Sequence, residues 1–126
     1  MIETKRYSIN AGDPAKKPRT GRGTATFYCV LHIDRFSNRI LVSAFSERKN
    51  AEAFRNQSPR KLHIEPEEVS GYGGEETLWC SNEWGPEDVL SFMNLHSSYA
   101  EAAHATAGKG RPTPVRIGDI RRVYSS

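Results

Sequence analysis

Histidines are the residues of this 126-residue sequence whose spacing bears most directly on chemistry, and there are four of them: His32, His63, His96 and His104. A zinc site needs ligands at short paired spacings, such as two histidines four positions apart on a helix or two cysteines three positions apart. His96 and His104 are eight positions apart, so they do not align on a helix of about 3.6 residues per turn. The glycine-rich GYGG lacks the G-x-x-x-x-G-K spacing of a phosphate-binding loop. We therefore predict neither a metal site nor a cofactor.

Metal-independent RNA cleavage is the enzymatic alternative. It needs a general base and a general acid, with Arg or Lys to stabilise the charge of the transition state. His32 and His63 lie in two predicted strands of the basic half of the chain. The final run RIGDIRRVY, residues 116–124, resembles the basic strand of RelE/ParE-type toxins, although that family begins with helices and this chain with a predicted hairpin. Because strand histidines are usually structural, we carry no active site across and expect a protein that is not an enzyme.

Charge is unevenly distributed along the chain. The net charge is only +3, yet residues 1–24 carry six basic residues against two acidic ones, and residues 35–61 carry seven against two. Basic side chains beside exposed aromatic rings are typical of proteins that hold phosphates and stack bases. We therefore predict a small binding protein that acts on nucleic acid or on the machinery that handles it. The predicted contact residues are Lys16, Lys17, Arg19, Arg22, Arg35, Arg39, Arg121 and Arg122.

A different class of function rests on residues 65–88, which hold eight acidic residues and no lysine or arginine. Acidic charge mixed with large aromatic residues is a composition that suits the attraction and anchoring of a basic protein. The alternative is therefore a protein–protein interaction inhibitor of the kind that phages and plasmids encode. Its predicted partner-binding residues are Tyr72, Trp84, Glu67, Glu68, Glu75 and Glu76. Whether the acidic and basic blocks neutralise each other in the fold is left open by the sequence.

One domain must position these residues, because the length suits a single modest core. Proline and glycine in residues 1–23 predict a flexible basic leader, and residues 24–126 are predicted to form the domain; no internal repeat is apparent. No apolar run is long enough to cross a bilayer, and MIETKRYSIN lacks an apolar signal sequence, so we expect a cytoplasmic protein. Cys29 and Cys80 lie in apolar runs and are predicted to be reduced core thiols.

The first half of the domain is predicted from β-branched and aromatic runs. TATFYCVLHI, residues 24–33, and RILVSAF, residues 39–45, predict a hairpin. Ser46 is predicted to cap a short helix over 47–56. KLHIE then predicts a short strand that Pro66 ends.

The second half is predicted from a loop, a strand and a longer helix. EPEEVSGYGGEE reads as a loop and ETLWCS as a fourth strand. Pro86 at a first helical position, apolar residues repeating at three and four, and Gly108 at the end predict the second helix. Residues 114–124 predict the last strand. The order ββαββαβ predicts an α+β fold, with an antiparallel or mixed sheet of about five strands and two helices packed on one face.

Overall fold

The computed structural model describes residues 23–120, which form six strands and two α-helices. The elements in chain order are β1 (Gly23–Ile33), β2 (Arg39–Phe45), α1 (Arg48–Asn56), β3 (His63–Tyr72), β4 (Thr77–Trp84), a 3₁₀ turn (Pro86–Asp88), β5 (Leu90–His96), α2 (Tyr99–Thr106) and β6 (Thr113–Arg116). The predicted leader, apart from Gly23, lies outside the described residues, as do Arg121 and Arg122.

The α+β class is confirmed, but the strands form two sheets rather than one. Three antiparallel strands in the order β2-β1-β3 form sheet 1, and three in the order β5-β4-β6 form sheet 2. The two sheets share one core, and each contributes its apolar side chains to it. The buried core residues are Phe27, Cys29, Leu31, Ala44, Val69, Leu78, Cys80, Phe92, Leu95 and Ile117.

The helices lie on different sheets, which corrects the prediction that they share one face. α1 contacts the three strands of sheet 1, and α2 contacts β4 and β5 of sheet 2. A second apolar cluster beneath α1 contains Val30, Phe45 and Ala51. β1 carries apolar side chains on both faces, and each face packs against one of the two apolar clusters. Neither helix of the described range is long and apolar enough to cross a membrane.

The second predicted helix is wrong over its first half, where the chain forms β5 and pairs with β4. Phe92 and Leu95, which fit a helical stripe in the sequence, are both buried in the core from a strand. A register shift in the β4–β5 pairing allows residues three apart to face the same side. The sequence spacing is therefore compatible with either a helix or a strand, and the backbone pairing with β4 stabilises the strand.

The predicted acidic loop is also wrong in its first part, because residues 63–72 form β3 and pair with β1. Pro66 lies within this strand, opposite Tyr28. Proline is tolerated at an edge strand because its missing N–H would face away from the neighbouring strand. β3 is such an edge strand, so Pro66 does not end it.

Both cysteines are buried free thiols, as predicted. Burial raises the pKa of the Cys80 thiol to about 12, with a smaller opposing effect of the hydrogen bond to Thr113. Burial likewise raises the pKa of Cys29 far above its usual range. Thiols with raised pKa values are poor nucleophiles, so both cysteines act as small core residues.

The fold is built from two units with the same topology, although the sequence analysis found no repeat. Unit 1, residues 23–72, and unit 2, residues 77–117, each run strand, strand, helix, strand, with the first strand central. The β1–β2 register shifts between Val30 and Leu31, and the β4–β5 register shifts 51 positions later, between Ser81 and Asn82.

Equivalent residues make equivalent pairs in the two units. Tyr28 faces Pro66 in unit 1, and Trp79 faces Pro114 in unit 2. The fully buried Ala51 of α1 corresponds to the fully buried Ala102 of α2. The sequence signal for the repeat is therefore short: TFYC against TLWC, and a proline three residues before the buried Val69 or Ile117.

Candidate functional site

The two sheets meet where β2 lies against β5 and β6 and where β3 lies against β5. The contact of β2 with β6 is closed by backbone pairing. At the β2–β6 seam, Ala44 and Ile117 form a parallel bridge. The amide of Gly118 donates to the Ala44 carbonyl at 2.7 Å. Beyond it, the Asp119 carboxylate accepts hydrogen bonds from the amides of Ser46 and Glu47 at 2.7 and 3.1 Å. The start of α1 is therefore capped by Asp119 rather than by Ser46, which corrects the predicted cap.

The equivalent β3–β5 seam is held by a side chain. Leu95 and Val69 occupy the positions that correspond to Ala44 and Ile117. The Glu67 carboxylate accepts hydrogen bonds from the Leu95 amide at 3.4 Å and from the Asn94 side-chain amide at 3.2 Å. A carboxylate here takes the place of a strand-to-strand hydrogen bond. A cavity opens at the outer edge of this seam.

This cavity, here called the β3–α2 groove, has a volume of about 590 Å³. That volume falls within the range of ligand-binding clefts, roughly 300–1,000 Å³. β3, β5 and α2 contribute its walls. Its lining residues include Glu68, Asn94, His96, Ala100, Glu101, His104 and Ala105.

Small side chains on α2 explain why the groove is open. In unit 1, the Phe54 ring of α1 packs against the Phe45 ring, with centroids 5.5 Å apart. The corresponding positions in unit 2 are Ala105 and His96. An alanine in place of a phenylalanine leaves the space beside the helix unfilled. Unit 2 therefore has a cavity at the position where unit 1 has the Phe54 ring.

Polar side chains replace apolar ones beneath α2. His96 Nε2 lies 2.9 Å from Ser81 Oγ, and these residues occupy the positions of Phe45 and Val30 in unit 1. Burial lowers the pKa of His96, with the Glu101 and Glu67 carboxylates opposing it. The imidazole is therefore held toward its neutral form, and the groove keeps the negative charge of its carboxylates.

Only two of the predicted nucleic-acid-binding residues lie among the described residues. Arg35 is exposed, with its guanidinium 5.0 Å from the centre of the Phe36 ring. Arg39 is half-buried, forms an ion pair with Glu65 and donates to the Phe92 carbonyl at 3.1 Å. Arg39 therefore joins the two sheets, whereas Arg35 lies exposed in the connection between β1 and β2.

The predicted acidic residues have different environments. Glu68 is exposed on the wall of the groove, whereas Glu67 holds the β3–β5 seam. Glu76 is half-buried and pairs with Arg116 at 3.4 Å. Glu75 accepts from the Gly73 amide at 2.8 Å.

The two predicted aromatic anchors also differ. The Tyr72 ring packs edge-on against Phe27 at 5.0 Å, and its hydroxyl donates to the Glu75 carbonyl at 2.8 Å. Trp84 is 46% exposed at the end of β4, as expected of a corner residue, and the guanidinium of Arg111 lies 5.7 Å from its ring centre. Tyr72 therefore contributes to packing, whereas Trp84 is presented to solvent.

The histidines proposed for RNA cleavage do not face each other. His63 pairs with Leu31 across β1 and β3, so the two side chains share a face of the sheet. His32 follows Leu31 and therefore projects from the opposite face. Within residues 23–120, no group of three or more His, Cys, Asp or Glu side chains is arranged to hold a metal ion.

Acidic and basic residues are unevenly distributed over the described residues. They hold ten lysines and arginines against thirteen acidic residues, a net charge of −3, so the positive net charge of the chain comes from positions outside them. Residues 47–61, which include α1, carry five basic residues against two acidic ones. The basic charge of the described fold is thus densest on α1 and the connection after it, whereas the groove wall is acidic.

Sequence reasoning missed the groove, because its walls come from three elements that are distant in sequence. His96 and Ala100 fit an apolar helical stripe in the sequence, and only Glu68 of the lining residues was predicted to bind a partner. No family model, curated protein or solved structure matches this chain. The candidate site is therefore argued from its own geometry.

Proposed function

We propose that this protein is a non-enzymatic binding module that recognises a basic segment of another protein and acts by occupying it. The observation that carries the proposal is the separation of charge. Residues 65–88 hold eight acidic residues and no basic one, and they provide one wall of the β3–α2 groove. A concentration of one sign of charge steers and orients a partner of the opposite sign.

The exposed Trp84 supports the same proposal. Tryptophan is enriched among the residues that dominate binding energy at interfaces. Glu83 and Glu87, both exposed, flank it in sequence, and the Arg111 guanidinium lies against its ring. An aromatic anchor in an acidic setting suits a basic protein better than a nucleic acid, whose phosphates the carboxylates repel.

Nucleic-acid binding is the second candidate, and one observation favours it. Residues 1–22 and 121–126 together hold eight basic residues against two acidic ones. Basic segments of this kind bind phosphates without reading sequence. In this candidate, Lys16, Lys17, Arg19 and Arg22 provide the contacts.

A titration of the full chain with two labelled probes tests the proposal. The probes are a fluorescein-labelled peptide of six Lys-Ser repeats and labelled oligo-dT of twenty nucleotides, followed by anisotropy over a salt series. The double variant Glu68→Lys, Glu87→Lys should weaken peptide binding about tenfold, because both carboxylates face solvent. The control Glu47→Lys, Glu52→Lys makes the same change in net charge on α1 and should leave the affinity within about twofold.

Absence of peptide binding at low salt would overturn the proposal. Binding of oligo-dT that falls when the four leader residues are changed to alanine would establish the second candidate in its place. An equal loss in the variant and its control would also count against the proposal, because net charge alone would then explain the attraction.

A further inference from the structure

The β3–α2 groove combines an apolar helix wall with carboxylates. Ala100 and Ala105 of α2 line it, and the exposed carboxylates of Glu68, on β3, and Glu101, on α2, lie at its two walls. No lysine or arginine is among its lining residues. An anionic ligand would therefore meet the carboxylates here, with His96 and His104 as the only lining side chains able to carry a positive charge. A purely apolar ligand would leave the carboxylates without a counterion.

In unit 1, an aromatic ring stands at the position of Ala105. The Phe54 ring covers Phe45, and the amide of Gly118 closes the seam on the Ala44 carbonyl. Lys49, the residue equivalent to Ala100, is paired with Glu47 at 3.5 Å. The two units therefore differ here in the size and in the charge of the side chains on their helices.

A long cationic side chain fits both properties of the groove. Lysine and arginine place an apolar stem along apolar surface while the charged head stays in a polar setting. The methyl groups of Ala100 and Ala105 suit the stem, and Glu68 and Glu101 suit the head. Burial lowers the pKa of His96, which favours the neutral form of this imidazole beside the bound cation.

We infer that the β3–α2 groove receives one lysine or arginine side chain of the basic segment that the proposed function invokes. The inference rests on that proposed function and narrows it from an acidic surface to a single cavity. The partner is then an extended segment with one buried basic residue, and its other basic residues meet the exposed acids around the groove.

Filling the groove without changing its charge is the sharpest test. Ala105→Phe introduces the residue that stands at the equivalent position of unit 1 and should weaken binding of the Lys-Ser peptide at least tenfold. Ala53→Phe, an equal substitution at an exposed position of α1, should leave the affinity within about twofold. Circular dichroism and thermal unfolding check that each variant is folded. If Ala105→Phe fails to fold, Ala100→Leu, at an exposed position of the same wall, replaces it.

A double-mutant cycle tests whether the Glu101 carboxylate binds a lysine of the peptide. Glu101→Gln should weaken the lysine peptide about tenfold, whereas Glu52→Gln, which removes a charge on α1 outside the groove, should not. A peptide with norleucine in place of the third of its six lysines should bind the wild-type protein more weakly. Glu101→Gln should abolish most of that difference in affinity.

The failure of this inference differs from the failure of the proposed function. If Ala105→Phe binds the peptide as tightly as wild type while the reversal of Glu68 and Glu87 weakens it, the cavity is not used and the inference is wrong. If neither change has an effect, the proposed function is wrong as well. If Ala105→Phe instead dissociates a dimer in sedimentation, a second copy occupies the groove, and the inference is again overturned.

Discussion

Unit 1 packs apolar side chains between its sheet and its helix, whereas unit 2 has polar ones at the same places. Val30 and Phe45 lie beneath α1, and Ser81 and His96 lie beneath α2. The inner faces do not differ in this way, because both units contribute apolar residues to the shared core. The shared core therefore maintains the topology, whereas the layer between each sheet and its helix is the part that differs between the two units.

The starts of the two helices also differ, in the residue that caps each of them. Asp119, far away in sequence, caps α1, whereas Ser98 caps α2 by accepting a hydrogen bond from the Glu101 amide at 3.2 Å. The position equivalent to Asp119 is Gly71, at the end of unit 1. Unit 1 therefore depends on a residue beyond unit 2, and unit 2 provides its own cap.

Truncation of the shared core should have the largest effect. Phe27 and Leu78 occupy equivalent positions and are buried to 1% and 0% exposure. Each change to alanine should lower the free energy of unfolding by about 2–5 kcal/mol, because a cavity remains where the side chain packed. Chemical denaturation followed by fluorescence and circular dichroism measures it. Both variants should unfold in one transition, and separate transitions for the two units would contradict a shared core.

A methyl group at the closed seam should have an intermediate effect. A Cβ on Gly118 would lie 2.7 Å from the Phe45 ring, so Gly118→Ala should destabilise the fold by about 1–3 kcal/mol. Ser70, at the equivalent position of the β3–β5 seam, is exposed, and Ser70→Ala should change stability by less than about 0.5 kcal/mol. Equal effects in thermal unfolding would mean that the two seams are closed alike.

Loss of the distant cap should have the smallest effect of the three, about 1–2 kcal/mol for Asp119→Ala. Partial burial opposes ionisation, but the hydrogen bonds from Asn50, Ser46 and Glu47 outweigh it and lower the pKa of Asp119. A carboxyl with a lowered folded-state pKa stabilises the fold above its unfolded pKa. That contribution is lost as the pH falls below about 4.

Denaturation at several pH values measures this effect. The difference between wild type and Asp119→Ala should shrink in acid. The control Ser98→Ala should cost about 1 kcal/mol with no such acid dependence, because a hydroxyl does not titrate in this range. A difference for Asp119→Ala that persists unchanged in acid would mean that its charge plays no part in the cap.

The candidate site was predictable only in part. The exposed position of Trp84 follows from the Gly85-Pro86 that comes after it, and the acidic character of β3 is visible in the sequence. The role of Glu67 is not visible, because its partners Leu95 and Asn94 are more than twenty-five positions away. The same holds for Arg39, whose contacts to Glu65 and Phe92 turn a predicted surface residue into a link between the sheets.

The sequence by itself determined the local elements whose residues favour one structure strongly. The β-branched runs of β1 and β2 predict their hairpin, RKNAEAFRN predicts α1, and the apolar surroundings of Cys29 and Cys80 predict their burial. Tertiary structure decided the rest, because residues 63–72 and 90–96 become strands only where β1 and β4 offer them hydrogen-bond partners. The groove was decided there too, since a cavity is the space that three separately encoded elements leave between them.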